Sequence, residues 1–299
     1  MKTLDGRIAI ITGAGRGLGR AHALLFAELG ARVVVNDNGA GTDGSGDDAS
    51  PAHEVVAEIA RAGGAAVAHV GSVSNWDSAA AMVQLAVDTF GGLDILVNNA
   101  GILRDRFLIN MSEGDWDSVI DVHLKGHFCP LRHAAAYWRA RSKQGHPVSA
   151  SVINTSSGSG LRGNPGQINY AAAKSGIAMM TLVAARELER YGVRVNAIAP
   201  VARTRLTESV PGLGDRISAD DGGFDKWAPE NVSPLVAWLA SKDCQASGEV
   251  FNVVGGHVGR QQCWLEQESF VSDARWTVEG LAEALAKIPA GPSPWMASA

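Results

Sequence analysis

The chain has 299 residues, of which 46% are hydrophobic and 19% are charged, with a formal net charge of −5 at pH 7. This composition is typical of a globular protein and excludes general disorder. The acidic balance, without any block of basic residues, predicts no nucleic-acid partner and no anionic membrane surface as partner.

The amino terminus and the cysteines predict a cytoplasmic protein. The first residues contain one early Lys and only a short apolar run, which predicts neither a signal peptide nor a membrane span. Cys129, Cys244 and Cys263 lie far apart without CxxC spacing. This scattered set predicts reduced thiols and no zinc site.

Short apolar runs alternate with longer amphipathic stretches over the first 254 residues. Seven runs have the largely apolar composition of parallel strands that are covered on both faces. They span 8–11, 33–36, 65–70, 95–97, 151–154, 193–198 and 250–254. The stretches between them predict helices near 18–29, 52–62, 75–90, 112–141, 168–191 and 230–241. The alternation predicts one α/β domain over residues 1–256, a Rossmann-like doubly wound parallel sheet of seven strands with helices on both faces.

Three segments depart from this alternation. Residues 38–51 are rich in Gly, Asp and Ser, which predicts a loop after the second strand, with the acidic part Asp43–Asp48 solvated. Residues 201–229 lack periodicity and are predicted to form a lid segment. Residues 257–299 are predicted to be a C-terminal extension with one helix, not a separate domain. Pro130 lies inside the long fourth helical pattern and predicts a kink or a split there.

The first predicted strand leads directly into a glycine-rich sequence, TGAGRGLG at 12–19, and then into a helix. Glycines allow a tight turn and a close approach of backbone N–H groups to a pyrophosphate, and the helix N-terminus adds its positive dipole. The second strand ends at Asp37, as in the dinucleotide-binding fingerprint. The turn therefore predicts cofactor contacts from Gly13, Gly15, Arg16, Gly17, Leu18 and Gly19.

Asp37 bears on which dinucleotide is bound. A carboxylate at this position accepts hydrogen bonds from the adenosine ribose hydroxyls and repels a 2′-phosphate, which favours NAD. Arg16 favours the opposite choice, because an arginine in the glycine turn can pair with a 2′-phosphate. Asn38, which follows Asp37, supplies no second cation. The sequence therefore predicts NAD as the cofactor.

Tyr170 and Lys174 lie four residues apart at the start of an apolar helical run, so both side chains lie on one helix face. Ser157 follows the fifth strand, whose carboxyl end faces the same crevice. A tyrosine with a pKa of about 10 is a poor base at pH 7, and a nearby ammonium and the positive nicotinamide ring would lower that pKa. The pattern predicts Tyr170 as the general base. Lys174 would lower the Tyr170 pKa and hold the nicotinamide ribose, and Ser157 would donate to the substrate oxygen.

The sequence resembles the short-chain dehydrogenase/reductase family over about residues 5–256. The resemblance is carried by TGAGRGLG, by NNAG at 98–101, by Ser157 and by YAAAK at 170–174. It implies hydride transfer at a carbinol carbon and a homodimer or homotetramer. It also implies that Asn98 stabilises the central sheet and lines the cofactor site, where further contacts come from Asn99, Ala100, Gly101 and Pro200.

Within this family, a closer likeness is to the (3R)-hydroxyacyl-CoA dehydrogenase part of the peroxisomal multifunctional enzymes type 2 and to free-standing actinobacterial relatives. It is carried by VVVND at 33–37, NNAGILRDR at 98–106, VHLKGHF at 122–128 and TSSGSGLRGNPGQINYAAAK at 155–174. The likeness implies a small-molecule substrate that is a (3R)-hydroxyacyl-CoA or a hydroxysteroid-like alcohol.

Three positions depart from the family pattern. His123 stands where the family has an active-site Asn whose main-chain carbonyl holds a water linked to the Lys. The resemblance implies that His123 keeps this place in the proton relay through its backbone. The Gly of a Pro-Gly after the sixth strand is Val201 here, and the nicotinamide contact then falls to Thr204, one residue early. Ser72, followed by Val73, replaces the Asp that reads adenine.

These features predict NAD-dependent oxidation of a secondary hydroxyl to a ketone. A metal mechanism is not expected, because the eight histidines form no HExxH motif. One alternative is an NADPH-dependent 3-oxoacyl carrier-protein reductase, which Arg16 favours and Asp37 opposes. A second is a catalytically silent dinucleotide sensor, which the intact Ser157, Tyr170 and Lys174 oppose. For the phosphates of CoA the candidates are four arginines that could equally form ion pairs with carboxylates. They are Arg104, Arg106, Arg203 and Arg205.

Overall fold

The computed structural model describes residues 2–208, 217, 223–262, 268–286 and 288. The chain divides into two compact units, Met1–Gln261 and Gln262–Ala299. The described part of the smaller unit contains helix α10 (Val278–Leu285), close to the helix predicted from the sequence. Much of the predicted lid segment and Cys263 lie outside the described residues. No helix in the described part of the chain is both long and apolar enough to cross a membrane.

An eight-stranded sheet forms the centre of the larger unit, with the order β3-β2-β1-β4-β5-β6-β7-β8. The strands are β1 (Ile8–Thr12), β2 (Arg32–Asn36), β3 (Ala65–His69), β4 (Ile95–Asn98), β5 (Ala150–Thr155), β6 (Val193–Val201), β7 (Val250–Val254) and β8 (His257–Gln261). The pairs from β3 through to β7 are parallel. The sheet is doubly wound, as predicted.

The predicted number of seven strands is wrong by one. The eighth strand, β8, pairs antiparallel with β7 through a two-residue turn at Gly255 and Gly256. The turn needs no crossover helix, and Gly255 adopts a φ of 53°, which favours glycine. Because β8 lies at the sheet edge and its residues are exposed or half-buried, it lacks the apolar run that marked the other strands.

Helices cover both faces of the sheet because neighbouring residues of each strand point to opposite sides. In β1, Ala9 and Ile11 join one hydrophobic core, and Ile8 and Ile10 join the other. The first core is completed by α1 (Gly17–Glu28), α2 (Ser50–Arg61) and α9 (Ser233–Ala240), and the second by α3 (Trp76–Phe90), α5 (Gly126–Lys143) and α7 (Ile168–Leu188). Shorter helices are α4 (Glu113–Ile120), α6 (Gly158–Arg162) and α8 (Arg205–Glu208).

The long fourth helical pattern is split, but not at Pro130. A π-helical turn, Asp121–Lys125, separates α4 from α5, and Pro130 lies within α5. Gly126 follows this turn, and a Cβ there would lie 2.6 Å from Val73 Cγ2. The missing side chain lets α5 pack against the segment after β3. The π-helical turn matters for the site because it carries His123.

Candidate active site

A cleft of about 580 Å³ opens at the carboxyl ends of the parallel strands. It lies where the strand order reverses between β1 and β4, the position at which doubly wound sheets bind ligands. Most of the site residues predicted from the sequence line this cleft: Gly13, Gly15, Arg16, Gly17, Leu18, Asp37, Ser72, Val73, Asn99, Ala100, Gly101, His123, Tyr170, Lys174, Pro200 and Thr204. Gly19 and Ser157 are not among the lining residues.

The glycine turn after β1 is built so that its backbone forms one wall of the cleft. Gly13 and Gly17 adopt φ angles of 62° and 52°, in the left-handed region that favours glycine. A Cβ at Gly13 would lie 2.8 Å from the Ala100 Cα, and one at Gly19 would lie 2.2 Å from the Gly13 oxygen. Gly19 therefore lies behind the turn and supports it. The turn therefore forms an open cradle, because any side chain at these glycine positions would occupy its space.

Asp37 lies directly against this cradle. Its Oδ2 accepts a hydrogen bond from the Gly15 N–H at 2.9 Å, and its Oδ1 accepts one from the Gly39 N–H at 2.7 Å. A Cβ at Gly15 would lie 2.8 Å from the Asp37 Oδ2. The carboxylate is thus fixed at the end of β2, beside the glycine turn.

A second cation lies near Asp37, contrary to the expectation from Asn38. Arg205, in α8, is close enough to Arg16 and Asp37 for both charges to act on its pKa, which burial lowers. Arg16 itself pairs with Asp48, with 3.8 Å between Nη2 and Oδ2. The sequence analysis named Arg205 only as a candidate for CoA phosphates. It could not place this side chain beside Asp37, because the two residues lie far apart in the sequence and only the fold brings them together.

The predicted loop at 38–51 does more than connect β2 to α2, although its acidic part, residues 43–48, is exposed as expected. The loop bonds to the segment after β4: the Leu103 N–H donates to the Thr42 oxygen and the Arg104 Nε to the Asp43 oxygen, both at 2.9 Å. Five of its residues also line the cleft: Asn38, Ala40, Gly41, Thr42 and Gly44. The loop therefore forms part of the cofactor wall.

Ser157, Tyr170 and Lys174 meet as the sequence predicted. Ser157 caps the N-terminus of α6, where its Oγ accepts a hydrogen bond from the Ser159 N–H at 3.2 Å. The Ser157 hydroxyl also bonds to the Tyr170 side chain. The Lys174 Nζ lies 5.5 Å from the centroid of the Tyr170 ring. These are the groups needed to hold a substrate oxygen and move its proton.

The expected lowering of the Tyr170 pKa is not found in this structure. Burial raises the pKa of Tyr170, the hydrogen bond from Ser157 lowers it, and the charge of Asp105 raises it, so that the pKa lies above its usual value. Desolvation is the largest of these effects because it disfavours the phenolate. The phenol is therefore the stable form of this side chain before a cofactor binds.

Lys174 lies beneath the cleft at the end of β5. Its side chain is 2% exposed, and its Nζ donates to the Thr155 oxygen at 2.6 Å. Desolvation lowers the pKa of Lys174 to about 7. The Lys174 side chain therefore changes between its charged and neutral forms near neutral pH.

This pKa predicts a pH-dependent stability difference for Lys174→Met. Between about pH 7 and the normal lysine pKa of about 10.4, the unfolded wild type binds more protons than the folded one, so its stability rises with pH. The variant lacks this group. Its Tm relative to wild type should therefore fall from about pH 6 to about pH 9. Thermal scans at the two pH values measure this, with exposed Lys143→Met as control. An equal Tm difference at both pH values would contradict the buried ammonium.

His123 faces Tyr170 from the π-helical turn. The two rings meet edge to face with 5.1 Å between centroids, and the His123 Nε2 lies 2.7 Å from the Ile102 oxygen. Burial and the charge of Lys174 hold the pKa of His123 well below its usual value. The imidazole is thus neutral at physiological pH. A Cβ at Gly101 would lie 2.4 Å from the His123 Cε1, so the ring occupies space that only glycine leaves free.

Two buried asparagines hold the elements of the site together. The Asn98 Nδ2 donates to the Asn154 Oδ1 at 3.0 Å, which joins β4 to β5, but Asn98 is not among the residues that line the cleft. Asn169 was missed by the sequence analysis. Its Nδ2 donates to the Arg104 and Asp115 oxygens, both at 3.1 Å, and its Oδ1 accepts from the Tyr170 N–H. In the sequence, only its position directly before Tyr170 could have indicated that Asn169 belongs to the site.

Two of the four arginines considered for CoA phosphates form ion pairs. Arg203 pairs with Asp225, and the Arg104 Nη1 lies 3.9 Å from the Asp115 Oδ1. Arg205 lies in the cofactor cleft. Arg106 is exposed and donates to the Asp105 oxygen.

Comparison with known proteins gives the class to which this fold and site belong. The short chain dehydrogenase family matches residues 7–211, and the chain belongs to that family. It is therefore an oxidoreductase that uses a nicotinamide dinucleotide. Hydroxyacyl-CoA dehydrogenase ChsB1 of Mycobacterium tuberculosis is 49% identical over 258 residues, which are 85% of this chain and 79% of that protein.

Other relatives differ in length. Mouse peroxisomal multifunctional enzyme type 2 is 44% identical over 86% of this chain, but the match spans only 32% of that enzyme. A 3-oxoacyl-[acyl-carrier-protein] reductase of Synechocystis is 39% identical over 86% of this chain and 99% of its own. The crystal structure of a short chain dehydrogenase from Mycobacterium avium is 55% identical with a TM-score of 0.85, covering 95% of this chain and 94% of that one.

Proposed function

We propose that the protein is an NAD-dependent dehydrogenase that oxidises the secondary hydroxyl of a (3R)-hydroxyacyl-CoA or a hydroxysteroid-like alcohol to a ketone. The observation that carries this proposal is the hydrogen bond between Ser157 and Tyr170 above the buried Lys174. Tyr170 and Lys174 line the same cleft as the glycine turn, so a proton acceptor and a dinucleotide site share one cleft.

The residues have distinct roles in the proposed reaction. Ser157 donates a hydrogen bond to the substrate oxygen, and the Tyr170 oxygen accepts the proton of the substrate hydroxyl as general base. Lys174 holds the nicotinamide ribose and stabilises the phenolate. The bound cofactor supplies the hydride acceptor and, in its oxidised form, a positive charge that favours ionised Tyr170. The His123 backbone holds a water that links Lys174 to solvent.

The cradle after β1 fits a dinucleotide. Gly13, Gly15 and Gly17 leave room for a pyrophosphate against backbone N–H groups, at the N-terminus of α1. Asp37 is placed to accept hydrogen bonds from the adenosine ribose. Thr204 borders the same cradle, since its Cγ2 would lie 3.4 Å from a Cβ added at Gly17. NAD is the proposed cofactor. Ser72 and Val73 would contact the adenine side.

Replacing Asp37 with Ala should weaken NAD binding and strengthen NADP binding. The change removes a ribose acceptor and a charge that repels the 2′-phosphate, and it leaves Arg16 and Arg205 to pair with that phosphate. Dissociation constants for both cofactors measure the effect, with exposed Asp47→Ala in the same loop as control. A wild type that already binds NADP more tightly than NAD would contradict the proposed cofactor.

The acyl-CoA class is supported by the names of the relatives and by the segment that follows Asp105, the residue whose charge acts on Tyr170. There the exposed Arg106 is followed by exposed apolar side chains, of which Ile109 is 90% exposed. A cation and apolar side chains together suit a phosphorylated carrier with an acyl chain. The proposed direction of the reaction is oxidation of the alcohol, with the ketone as product.

The CoA part of the substrate should contribute to turnover as well as to binding. Energy from remote contacts can be used at the reacting carbon, so the free 3-hydroxy acid should show a lower kcat and a higher KM than its CoA thioester. Steady-state rates with the two substrates measure this. Equal kcat/KM with and without CoA would contradict the acyl-CoA class and leave a hydroxysteroid-like alcohol.

A second candidate is an NADPH-dependent 3-oxoacyl carrier-protein reductase. It is favoured by Arg16 and Arg205, which place two guanidinium groups near Asp37. Oxidation of NADPH by a 3-oxoacyl carrier protein, faster than oxidation of NADH, would support it. A silent dinucleotide sensor is disfavoured by the complete set of Ser157, Tyr170 and Lys174.

We also infer a homodimer or homotetramer in the cytoplasm, without membrane or nucleic-acid partners. Apolar side chains on α3, α5 and α7 are about half exposed, as expected of a surface that a second copy covers. They are Trp76, Phe128, Met179 and Val183. The scattered cysteines fit a reducing compartment. Light scattering of the purified protein tests the number of copies.

A further inference from the structure

The segment after β4 and the loop before α7 are joined beside the active site. The Arg106 N–H donates to the Gly166 oxygen at 2.8 Å, and Arg106 forms an isolated parallel bridge with Gln167. Below this bridge, the Gln167 Nε2 donates to the Asp105 Oδ2 at 2.7 Å. Gln167 is only 5% exposed and Asp105 is half-buried, so this contact is partly shielded from solvent.

We propose that Asp105 and Gln167 form a positioning pair that orients the catalytic Ser157 and places a negative charge beside Tyr170. This inference rests on the proposed function, because Ser157 and Tyr170 matter in this way only if they handle a substrate proton. Neither residue of the pair touches the reacting atoms. Both act through their neighbours.

The path from Gln167 to Ser157 is short and continuous. The Gln167 Oε1 accepts hydrogen bonds from the Ser159 Oγ at 2.8 Å and from the Asn164 Nδ2 at 2.9 Å. The Ser159 N–H in turn donates to the Ser157 Oγ at 3.2 Å. Because its amide is bonded at both ends, Gln167 fixes the first turn of α6 relative to Asp105. Ser157 begins that turn.

The charge of Asp105 acts on Tyr170 through space. The Asp105 Oδ1 is buried without a partner among the described residues, so one carboxylate oxygen is not neutralised by a hydrogen bond. Its charge raises the pKa of Tyr170. Burial raises the pKa of Asp105 itself above its usual value, and the hydrogen bond from Gln167 and the charge of Arg106 oppose this shift.

Three other groups face Tyr170 and are unchanged by a substitution at Asp105. They are the Ser157 hydroxyl, the His123 ring and the Lys174 ammonium. Neutralising Asp105 alone should therefore favour the phenolate.

Two substitutions separate the effect of the hydrogen bonds of Gln167 from the effect of the Asp105 charge. Asp105→Asn keeps an acceptor for the Gln167 amide and removes the charge, so the acidic limb of the kcat/KM profile for alcohol oxidation, on which activity rises as Tyr170 ionises, should move to lower pH by about half a unit. Gln167→Leu removes the bonds, so kcat should fall by about 10-fold while the NAD dissociation constant stays within about twofold. A merely structural contact would not move the pH profile.

A matched control exists on α3, where the Gln84 Nε2 donates to the Asp88 Oδ1 at the same 2.7 Å on the exposed surface. Gln84→Leu and Asp88→Asn should leave rates and profile unchanged. An unmoved profile for Asp105→Asn overturns the inference, as does a kcat for Gln167→Leu within about twofold of wild type. If Gln167→Leu does not fold, the Asp105→Asn profile alone decides. A wild type inactive on every secondary alcohol contradicts the proposed function instead.

Discussion

Tyr170→Phe should lose about 10²–10⁴-fold in turnover, the usual contribution of a general acid or base, while NAD binding stays nearly unchanged. The substitution removes one oxygen, the atom that bonds to Ser157 and that accepts the substrate proton in the proposed reaction. The aromatic ring that meets His123 edge to face remains, so the local packing is kept. Steady-state kcat and an NAD dissociation constant together separate chemistry from binding.

The control for this variant is Tyr191→Phe, in the 3₁₀ turn Glu189–Tyr191 that precedes β6. It removes the same atom at a position outside the cleft lining and should keep wild-type turnover. Turnover of Tyr170→Phe within about threefold of wild type would contradict the assignment of the base.

Gly19→Ala should destabilise the protein by about 3 kcal/mol and weaken dinucleotide binding by more than about 10-fold. The new Cβ would lie 2.2 Å from the Gly13 oxygen and 2.6 Å from the Asn99 Nδ2. Both atoms belong to the walls of the cofactor cradle, so the cradle must shift. Denaturant unfolding and cofactor titration measure the two effects.

Gly114→Ala is a matched control, because Gly114 also lies near the start of a helix but a Cβ added to it would have no neighbouring atom within 4 Å. Alanine there should raise the free energy of unfolding by up to about 1 kcal/mol, since it removes backbone freedom from the unfolded chain. Equal stability and equal NAD affinity for both variants would show that the turn does not depend on Gly19.

The parallel sheet and the catalytic group could be predicted because their signals are local. Each buried strand is a short apolar run, the glycine turn follows β1 directly, and Tyr170 and Lys174 share one helix face. That the glycine turn and the catalytic group share one cleft could also be predicted, because parallel strands bring their carboxyl ends to one edge of the sheet.

The features that sequence reasoning missed depend on contacts between distant segments. Arg205 and Asn169 act on residues that other elements supply, and the loop 38–51 docks through backbone atoms whose partners no residue pattern reveals. The edge strand β8 has no buried face to leave an apolar run. The rise in the Tyr170 pKa that burial causes could not be read from the sequence, because burial depends on the whole fold.

The most direct test of the account is to mix wild type with NAD and a (3R)-hydroxyacyl-CoA and to follow the absorbance of reduced nicotinamide and the amount of 3-oxoacyl-CoA. The account predicts both products in equal amounts from wild type, and no more than about one hundredth of that rate from Tyr170→Phe. No reduced nicotinamide from a folded wild type that binds NAD, or an equal rate from the variant, would contradict it.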